Sequence, residues 1–599
     1  MQAIILAAGR GSRLGSLTDS NTKCMVEVCK IPLIERSIKS ILDAGINKII
    51  IVVGYKKEGL KKYIKEKFPN TNIKFIFNKD YYRTNNIYSL YIASEELAKD
   101  DTILLESDLI FDTDILKKLI SDTRKNLAVV DRYKNWHDGT VVKLNAKQEI
   151  QSFIPKSEFK FKDLLQYYKT VNIYKFSKEF SKESYLPFLK AYCEAFGRSE
   201  YYEDVLRVIA LIQTKSLEAL TLTGQSWYEI DTPEDREVAE IIFSNPSEKY
   251  ELLTKTYGGY WRFNSLIDFC YLVNPFFPPS QLNDELNFNL PKLIQSYPSG
   301  SSAQSRLAGQ MFNVDSSHIV TGNGSAELIK LASKILKKRF GLYGPTFDEY
   351  TSTFKHANIK PLSTEGFRYG KEEILSLAED NDGVILINPD NPSGNFIPHK
   401  DILDILNEFK SNNKTLILDE SFLDFAEEGF NSSCCDNKIL NNFPNLIVIK
   451  SIGKSYGVGG LRLGVLLSSN TDLVNELKSR IPIWNINSIA EFYLQIIPKY
   501  KSDYIKSCKK LIETRKSLQL ELNKIPYIEC YDSQANYFLC KLIGKNSRDL
   551  AINLCDKHSL FIKDCSHKCN NSKDQYIRVA VRSPEDNKKL THALKNYET

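Results

Sequence analysis

Apolar strands and amphipathic helices alternate from the third residue onward, and no other feature constrains the fold as much. Short runs rich in Ile, Leu and Val near 3–7, 48–53, 73–77 and 102–106 are separated by helical patterns near 32–43, 57–67 and 86–98. A strand that passes through a helix to the next strand builds a largely parallel sheet with helices on its faces. The rhythm restarts with runs near 318–321, 383–387, 414–418 and 446–450. Between the two series, Phe243-Ser-Asn-Pro-Ser-Glu-Lys249 carries the Pro and Ser punctuation of a boundary. At 599 residues the chain is also too long for one hydrophobic core. The expectation is an α/β protein without internal repeats, made of two doubly wound domains at 1–245 and 246–599.

Composition narrows the partners. Lys plus Arg number 80 and Asp plus Glu 74, and the net charge of +6 is too small at this length to argue for nucleic acid or a membrane surface. No run reaches the roughly 18 apolar residues of a membrane span. The N-terminus opens into Ala3-Ile4-Ile5-Leu6-Ala7 without the basic start of a signal peptide. The 12 cysteines are scattered, as in Cys24, Cys29 and Cys434–Cys435, a pattern that fits a reducing, cytoplasmic setting. Cys565-Ser-His567-Lys-Cys569 matches no usual zinc spacing and has no second pair, so it reads as a polar loop.

The first strand runs into Gly9-Arg10-Gly11-Ser12-Arg13-Leu14-Gly15. A Gly-rich turn after a strand lets backbone N–H groups approach phosphates. A P-loop would need Gly-Lys-Ser/Thr, which is absent, and a dinucleotide fingerprint would need a third Gly where Leu14 stands. The string Leu6-Ala7-Ala8-Gly9-Arg10-Gly11-Ser12-Arg13, followed by Lys23, resembles the opening motif of the sugar-nucleotide and phosphocholine nucleotidyltransferases. Asn85-Asn86-Ile87-Tyr88-Ser89 and Trp227-Tyr228-Glu229-Ile230-Asp231-Thr232-Pro233-Glu234-Asp235 bring it closest to the phosphocholine cytidylyltransferase branch. That resemblance implies nucleotide contacts at Leu6, Ala8, Gly9, Gly11, Ser12, Arg13, Lys23, Asn85 and Ser89, with Arg13 and Lys23 on the triphosphate. It implies Mg²⁺ at Asp108 and Asp231, hard oxygen ligands of the kind that ion requires. Asp108 alone would read as a cap after a strand, and Asn85 alone as a helix N-cap. Glu203 and Asp204, beside Tyr201 and Tyr202, suit an ammonium group, and a half-buried helix face is the rival reading.

In the second half, Ser451-Ile452-Gly453-Lys454-Ser455-Tyr456-Gly457 is followed by Gly459-Gly460-Leu461-Arg462-Leu463-Gly464. This resembles the lysine segment of the class I/II aminotransferases, fold-type I enzymes of pyridoxal 5'-phosphate (PLP). The resemblance implies that Lys454 carries PLP and moves protons, with Ser451 beside it and Arg462 on the cofactor phosphate. It extends to Asp419 as partner of the ring nitrogen, Asn391 at the ring hydroxyl and Phe347 stacked on the ring. Gly324, Ser325 and Ala326 open a helix as a phosphate cradle. Tyr297 matches a tyrosine that reaches the partner subunit's cofactor, which implies a homodimer through this domain, and Arg578 matches an arginine that holds a substrate anion. The closest branch is that of histidinol-phosphate aminotransferase and threonine-phosphate decarboxylase. Here Phe422 replaces a tyrosine, Leu272 an asparagine and Gly453 a serine of those relatives, which points to a different substrate.

The order of modules resembles the fused cytidylyltransferase–transaminase proteins of bacterial phosphonate pathways. It implies that an amino-acid donor and phosphonoacetaldehyde give 2-aminoethylphosphonate, which CTP converts to its CMP ester. The alternative is a decarboxylase that makes phosphoethanolamine for CDP-ethanolamine. A scaffold role for one domain would need a decayed site, and Lys454, Asp419, Asp108 and Asp231 are all present.

Overall fold

The computed structural model describes residues 1–212, 217–263, 265–569 and 574–598. Contacts divide the chain into two compact units, Met1–Arg262 and Phe263–Thr599. The division falls later than the expected junction near 245, because helix Pro246–Lys255 packs on helix Pro233–Phe243 and stays with the first unit.

The first unit is built on strands β1 (Gln2–Ala7), β2 (Lys48–Val53), β3 (Asn72–Phe77) and β4 (Thr102–Glu106). Helices α1 (Leu33–Asp43) and α2 (Lys57–Lys67) make the crossovers. The third expected helix is broken: α3 (Asn86–Ile92) ends at Ala93 and a short turn of helix follows. β1 is buried along its whole length and pairs in parallel with both β2 and β4. From β1 the chain first builds outward through β2 and β3, then returns to the other flank as β4. The crevice at the C-terminal ends of β1 and β4 is therefore a topological switch point, where open α/β sheets hold ligands. The sheet continues through β5 (Leu127–Arg132), β6 (Val141–Leu144), β7 (Ile150–Ile154), β8 (Tyr167–Phe176) and β9 (Glu218–Thr221). The β8–β5 ladder loses register between Thr170 and Tyr174, where Asn172 takes φ 60°. An irregularity of this kind re-aims side chains, here Lys169 and Asn172, into the crevice.

The second unit has a seven-stranded sheet of β10 (Ile319–Asn323), β11 (Phe340–Gly344), β12 (Asn358–Pro361), β13 (Gly383–Ile387), β14 (Thr415–Asp419), β15 (Leu446–Ser451) and β16 (Leu463–Leu467). Their spatial order is β10-β16-β15-β14-β13-β11-β12, with β16 antiparallel to both neighbours and the remaining pairs parallel. A smaller antiparallel sheet near the C-terminus holds β17 (Tyr537–Leu542) against β18 (Gln575–Ala580). Behind β15, buried Lys450 donates to buried Asp424 at 2.8 Å and Tyr504 donates to the same carboxylate at 2.7 Å. This satisfied ion pair anchors the strand that leads to Lys454. Among the described residues, no helix is long and apolar enough to cross a membrane.

Candidate active sites

In the first unit every expected site residue lines one cavity of about 650 Å³. Gly11 stands at φ 71°, and a Cβ there would lie 2.9 Å from the Lys23 Cβ, so glycine is what lets the loop fold over that lysine. Lys23 Nζ bonds to Asp108 Oδ2 and, at 2.6 Å, to Asp231 Oδ1, which also accepts from Arg13 Nη2 at 2.8 Å. Burial opposes the Lys23 charge, but the two carboxylates overcome it and hold the ammonium well above its usual range. Two carboxylates from distant segments thus converge on one cation. Asp108 Oδ1 is buried with no hydrogen-bond partner among the described residues. An open carboxylate oxygen beside a second carboxylate fits a hard divalent ion, and Asp108 and Asp231 would hold Mg²⁺ there.

Three further carboxyl groups line the same cavity. Glu106, Glu203 and Glu229 all line it, and burial pushes each carboxyl above its usual range, Glu203 to about 7. Glu106 accepts from Asn86 Nδ2 at 3.0 Å, and Glu229 lies 3.6 Å from the buried Lys169 ammonium. Glu203 Oε2 has no partner among the described residues. Asp204, by contrast, accepts the Tyr201 N–H at 3.2 Å across the start of helix Tyr202–Ile212. The Asn85 side chain accepts the Asn86 N–H at 2.8 Å as a helix cap, and Asn85 lines the cavity together with Ser89. Arg10 turns outward over the Tyr55 ring. Glu106, Lys169 and Glu229 had no role in the sequence reading. The available signal was a charge closing, or set inside, an otherwise apolar strand.

In the second unit, Lys454 follows β15 on a one-turn helix, Ile452–Ser455. Its Nζ lies 4.0 Å from the Phe422 ring centre and 5.1 Å from that of Phe347. Burial lowers the Lys454 ammonium to about 8, against the attraction of Asp419 and with the help of Arg578. Asp419 closes β14; its Oδ2 accepts from Tyr350 Oη at 2.8 Å and its Oδ1 from the Ser421 N–H at 2.8 Å. Tyr350 was not foreseen; it is buried on helix Asp348–Thr353, directly after Phe347. Asn391 Oδ1 accepts from Arg578 Nη1 at 2.7 Å, and Arg578 Nη2 donates to the Cys270 carbonyl at 2.6 Å. Arg578 Nε is buried without a partner among the described residues. Ser451 joins through its backbone, whose N–H donates to Ser421 Oγ at 2.9 Å.

The phosphate end is equally tight. Gly324 precedes helix Ser325–Ile335, which includes Ala326, and a Cβ on Gly324 would lie 2.7 Å from Arg462 Nη2. A guanidinium laid across a helix N-terminus fits a dianionic phosphate. The residues present therefore fit PLP, with Lys454, Asp419 and Asn391 around the ring and Gly324–Ala326 with Arg462 at the phosphate. Tyr297 stands apart: it is 79% exposed and stacks on Trp484 at 4.4 Å. Cys565 and Cys569 are buried in an apolar cluster with Phe367, Leu539 and Tyr576.

The class I and II aminotransferase model matches residues 277–594, more than half of the chain, and the MobA-like NTP transferase domain model matches residues 3–169. CMP-5'-(3-aminopropyl)phosphonate synthase of Streptomyces rubellomurinus is 28% identical over 600 residues, covering 99% of this chain and 94% of that protein. L-serine phosphate decarboxylase of Campylobacter jejuni is 29% identical over 340 residues, covering 54% of this chain and 86% of its own. The histidinol-phosphate aminotransferase structure from Clostridium acetobutylicum matches with a TM-score of 0.50 at 26% identity, covering 55% of this chain and 98% of its own. With its lysine, aspartate and phosphate cradle in place, the chain belongs to the class I and II aminotransferase family, and it carries a nucleotidyltransferase domain ahead of that fold.

Proposed function

We propose that the first unit transfers CMP from CTP to 2-aminoethylphosphonate, and that the second makes this amine from phosphonoacetaldehyde and an amino-acid donor. One observation carries the reading of the first site. A single cavity is lined by the cations Arg13 and Lys23 and by the carboxyl groups of Glu106, Glu203 and Glu229, and Glu203 Oε2 is buried there without a partner among the described residues. Such a cavity matches a short zwitterion, with a phosphonate at one end and an ammonium at the other. A phosphonate oxygen attacks the α-phosphorus of CTP, the bond to the β-phosphate oxygen breaks, and pyrophosphate leaves. Asp108 and Asp231 would hold Mg²⁺ beside the phosphates, while Arg13 and Lys23 offset the negative charge as both anions approach. The name of the Streptomyces relative, a synthase of a CMP aminoalkylphosphonate, supports this substrate class.

At the second site, bound PLP supplies reversible capture of an amino group and an electron sink at the substrate carbon. Lys454, lowered to about 8, can hold or release a proton there near neutral pH. Tyr350 and the Ser421 N–H keep Asp419 oriented. Arg578 would pair with the donor carboxylate and then with the phosphonate, an arrangement suited to substrates that present one anion at a time. A second reading, decarboxylation of a phosphorylated or phosphono amino acid, is favoured by the name of the Campylobacter relative.

The test is an acceptor panel with MgCTP, read as pyrophosphate release. 2-Aminoethylphosphonate is expected to be used at least ~10-fold better in kcat/KM than ethylphosphonate, the same anion without its ammonium. Equal use of the two would sink the zwitterion reading.

A further inference from the structure

Cys530 closes a short strand, Ile528–Cys530, that runs antiparallel to β17, and it stands directly opposite Cys540 in the register. The hydrogen bonds around the pair set its geometry. The Tyr531 N–H donates to the Leu539 carbonyl at 3.1 Å, and the Ile543 N–H donates to the Tyr527 carbonyl at 2.9 Å. Bonded and unbonded pairs alternate along an antiparallel ladder, so 527–543, 529–541 and 531–539 are bonded pairs and 530–540 is an unbonded one. Residues opposed in such a pair share a face, with Cα atoms about 4.5 Å apart, inside the range of about 4.4–6.8 Å that a disulfide spans. The two thiols meet there: the Cys540 thiol is held well above its usual range, first by its hydrogen bond with the Cys530 thiol and then by burial. The pair is asymmetric. Cys540 is fully buried and Cys530 half-buried, so Cys530 is the one that a reagent reaches from solvent. Cys435, also half-buried, offers a contrast: burial and the Glu420 carboxylate, 3.7 Å away, hold its thiol up.

We propose that Cys530 and Cys540 form a thiol–disulfide site, which a small disulfide such as oxidised glutathione converts reversibly to a cross-strand bond. The Cys530 thiolate attacks one glutathione sulfur. A mixed disulfide forms, the glutathione S–S bond breaks, and one glutathione thiolate leaves and takes up the proton that Cys530 gave up. Cys540 then loses its proton and attacks the Cys530 sulfur, and the second glutathione leaves as a thiolate that takes up that proton. Two protein thiols are oxidised and one small disulfide is reduced to two thiols. Excess dithiol runs the exchange backwards. The bond ties an edge strand to the sheet that presents Arg578, because Leu539, beside Cys540, pairs with Arg578 between β17 and β18. The proposal stands apart from the reading of either active site, since neither cysteine belongs to one.

The test incubates the folded full chain with oxidised glutathione, alkylates the remaining thiols and maps the peptides by mass spectrometry. All 12 cysteines start as free thiols. The natural chain is expected to lose two thiols, to release two molecules of reduced glutathione and to retain none, with Cys530 joined to Cys540 as the principal linked peptide. Dithiothreitol should restore both thiols. Cys540→Ala removes the second attack and should leave one glutathione held on Cys530. Cys530→Ala removes the thiol that solvent reaches, and the buried Cys540 should take up none. If either variant does not fold, as read by its thermal transition, the peptide map of the natural chain decides alone. No loss of thiols, a different cysteine pair as the principal link, or glutathione retained by the natural chain in place of the link overturns the proposal.

Discussion

Replacing Glu203 with glutamine should expose the ammonium end of the first site. The substitution preserves shape and removes one charge, at the carboxylate whose Oε2 lacks a partner. Glu106 and Glu229 are already engaged by Asn86 and by Lys169, so Glu203 is the open acceptor. A hydrogen bond to a charged group contributes about 1.5–3 kcal/mol, and each ~1.4 kcal/mol is tenfold, so KM for 2-aminoethylphosphonate should rise about 10- to 150-fold. Ethylphosphonate, which has no ammonium, should be used equally well by both forms. A pH signature accompanies the change. Burial holds the Glu203 carboxyl at about 7, with Glu229 and Asp204 raising it further and Lys169 opposing them. Below that pH the group is neutral and gives the ammonium no charge partner. As pH rises through 7 the carboxylate forms and KM for the amine falls, while the amine, with a pKa of about 10, remains charged. Glu203→Gln should flatten this dependence. Pyrophosphate release measured from pH 6 to 8 with both acceptors checks it. An unchanged KM for the amine, or an equal rise for ethylphosphonate, refutes the reasoning.

Asp108→Ala, which removes a hard ligand and a partner of Lys23, should lower pyrophosphate release at least ~100-fold and leave amino transfer intact, as parallel assays of the two reactions would show. Arg578→Ala should raise KM for amino donor and aldehyde together, and Arg578→Lys should restore little, because the fork geometry is lost; steady-state kinetics with each substrate varied in turn reads this. Tyr350→Phe removes the hydrogen bond to Asp419 and should weaken PLP retention and shift the visible absorption of the holoenzyme, both readable by spectrophotometric titration. Lys450→Met leaves Asp424 buried without its cation and should destabilise the second unit by about 3–5 kcal/mol, seen as an earlier denaturant midpoint for that unit.

The alternating apolar pattern made the two sheets legible, because strands buried on both faces read as continuous Ile and Val runs. Gly11, Lys23 and the Lys454 segment were legible for a related reason: each stands in a short local motif where the backbone demands particular residues. What the sequence hid is assembled from distant segments. Glu106, Lys169 and Glu229 come from three separate elements and share one cavity with Glu203. Tyr350 was hidden in the same way, since its bond to Asp419 spans 69 positions. The helix expected over 86–98 breaks at Ala93, where no Pro or Gly marks a stop. The compact units divide at Arg262, after the expected junction near 245, because Pro246 begins a helix: Asn245 caps it by accepting from the Glu248 N–H.

The most direct test of the coupled account is one reaction mixture containing PLP-loaded enzyme, phosphonoacetaldehyde, alanine and MgCTP, analysed by mass spectrometry and for released CO₂. The account predicts the CMP ester of 2-aminoethylphosphonate, with one pyrophosphate for each ester and no CO₂. It also predicts that Lys454→Ala blocks the ester when aldehyde is supplied and permits it when 2-aminoethylphosphonate is supplied directly. Absence of the ester from the natural enzyme, or CO₂ release in a parallel mixture with O-phosphoserine in place of the aldehyde and alanine at a rate above that of amino transfer, would contradict it.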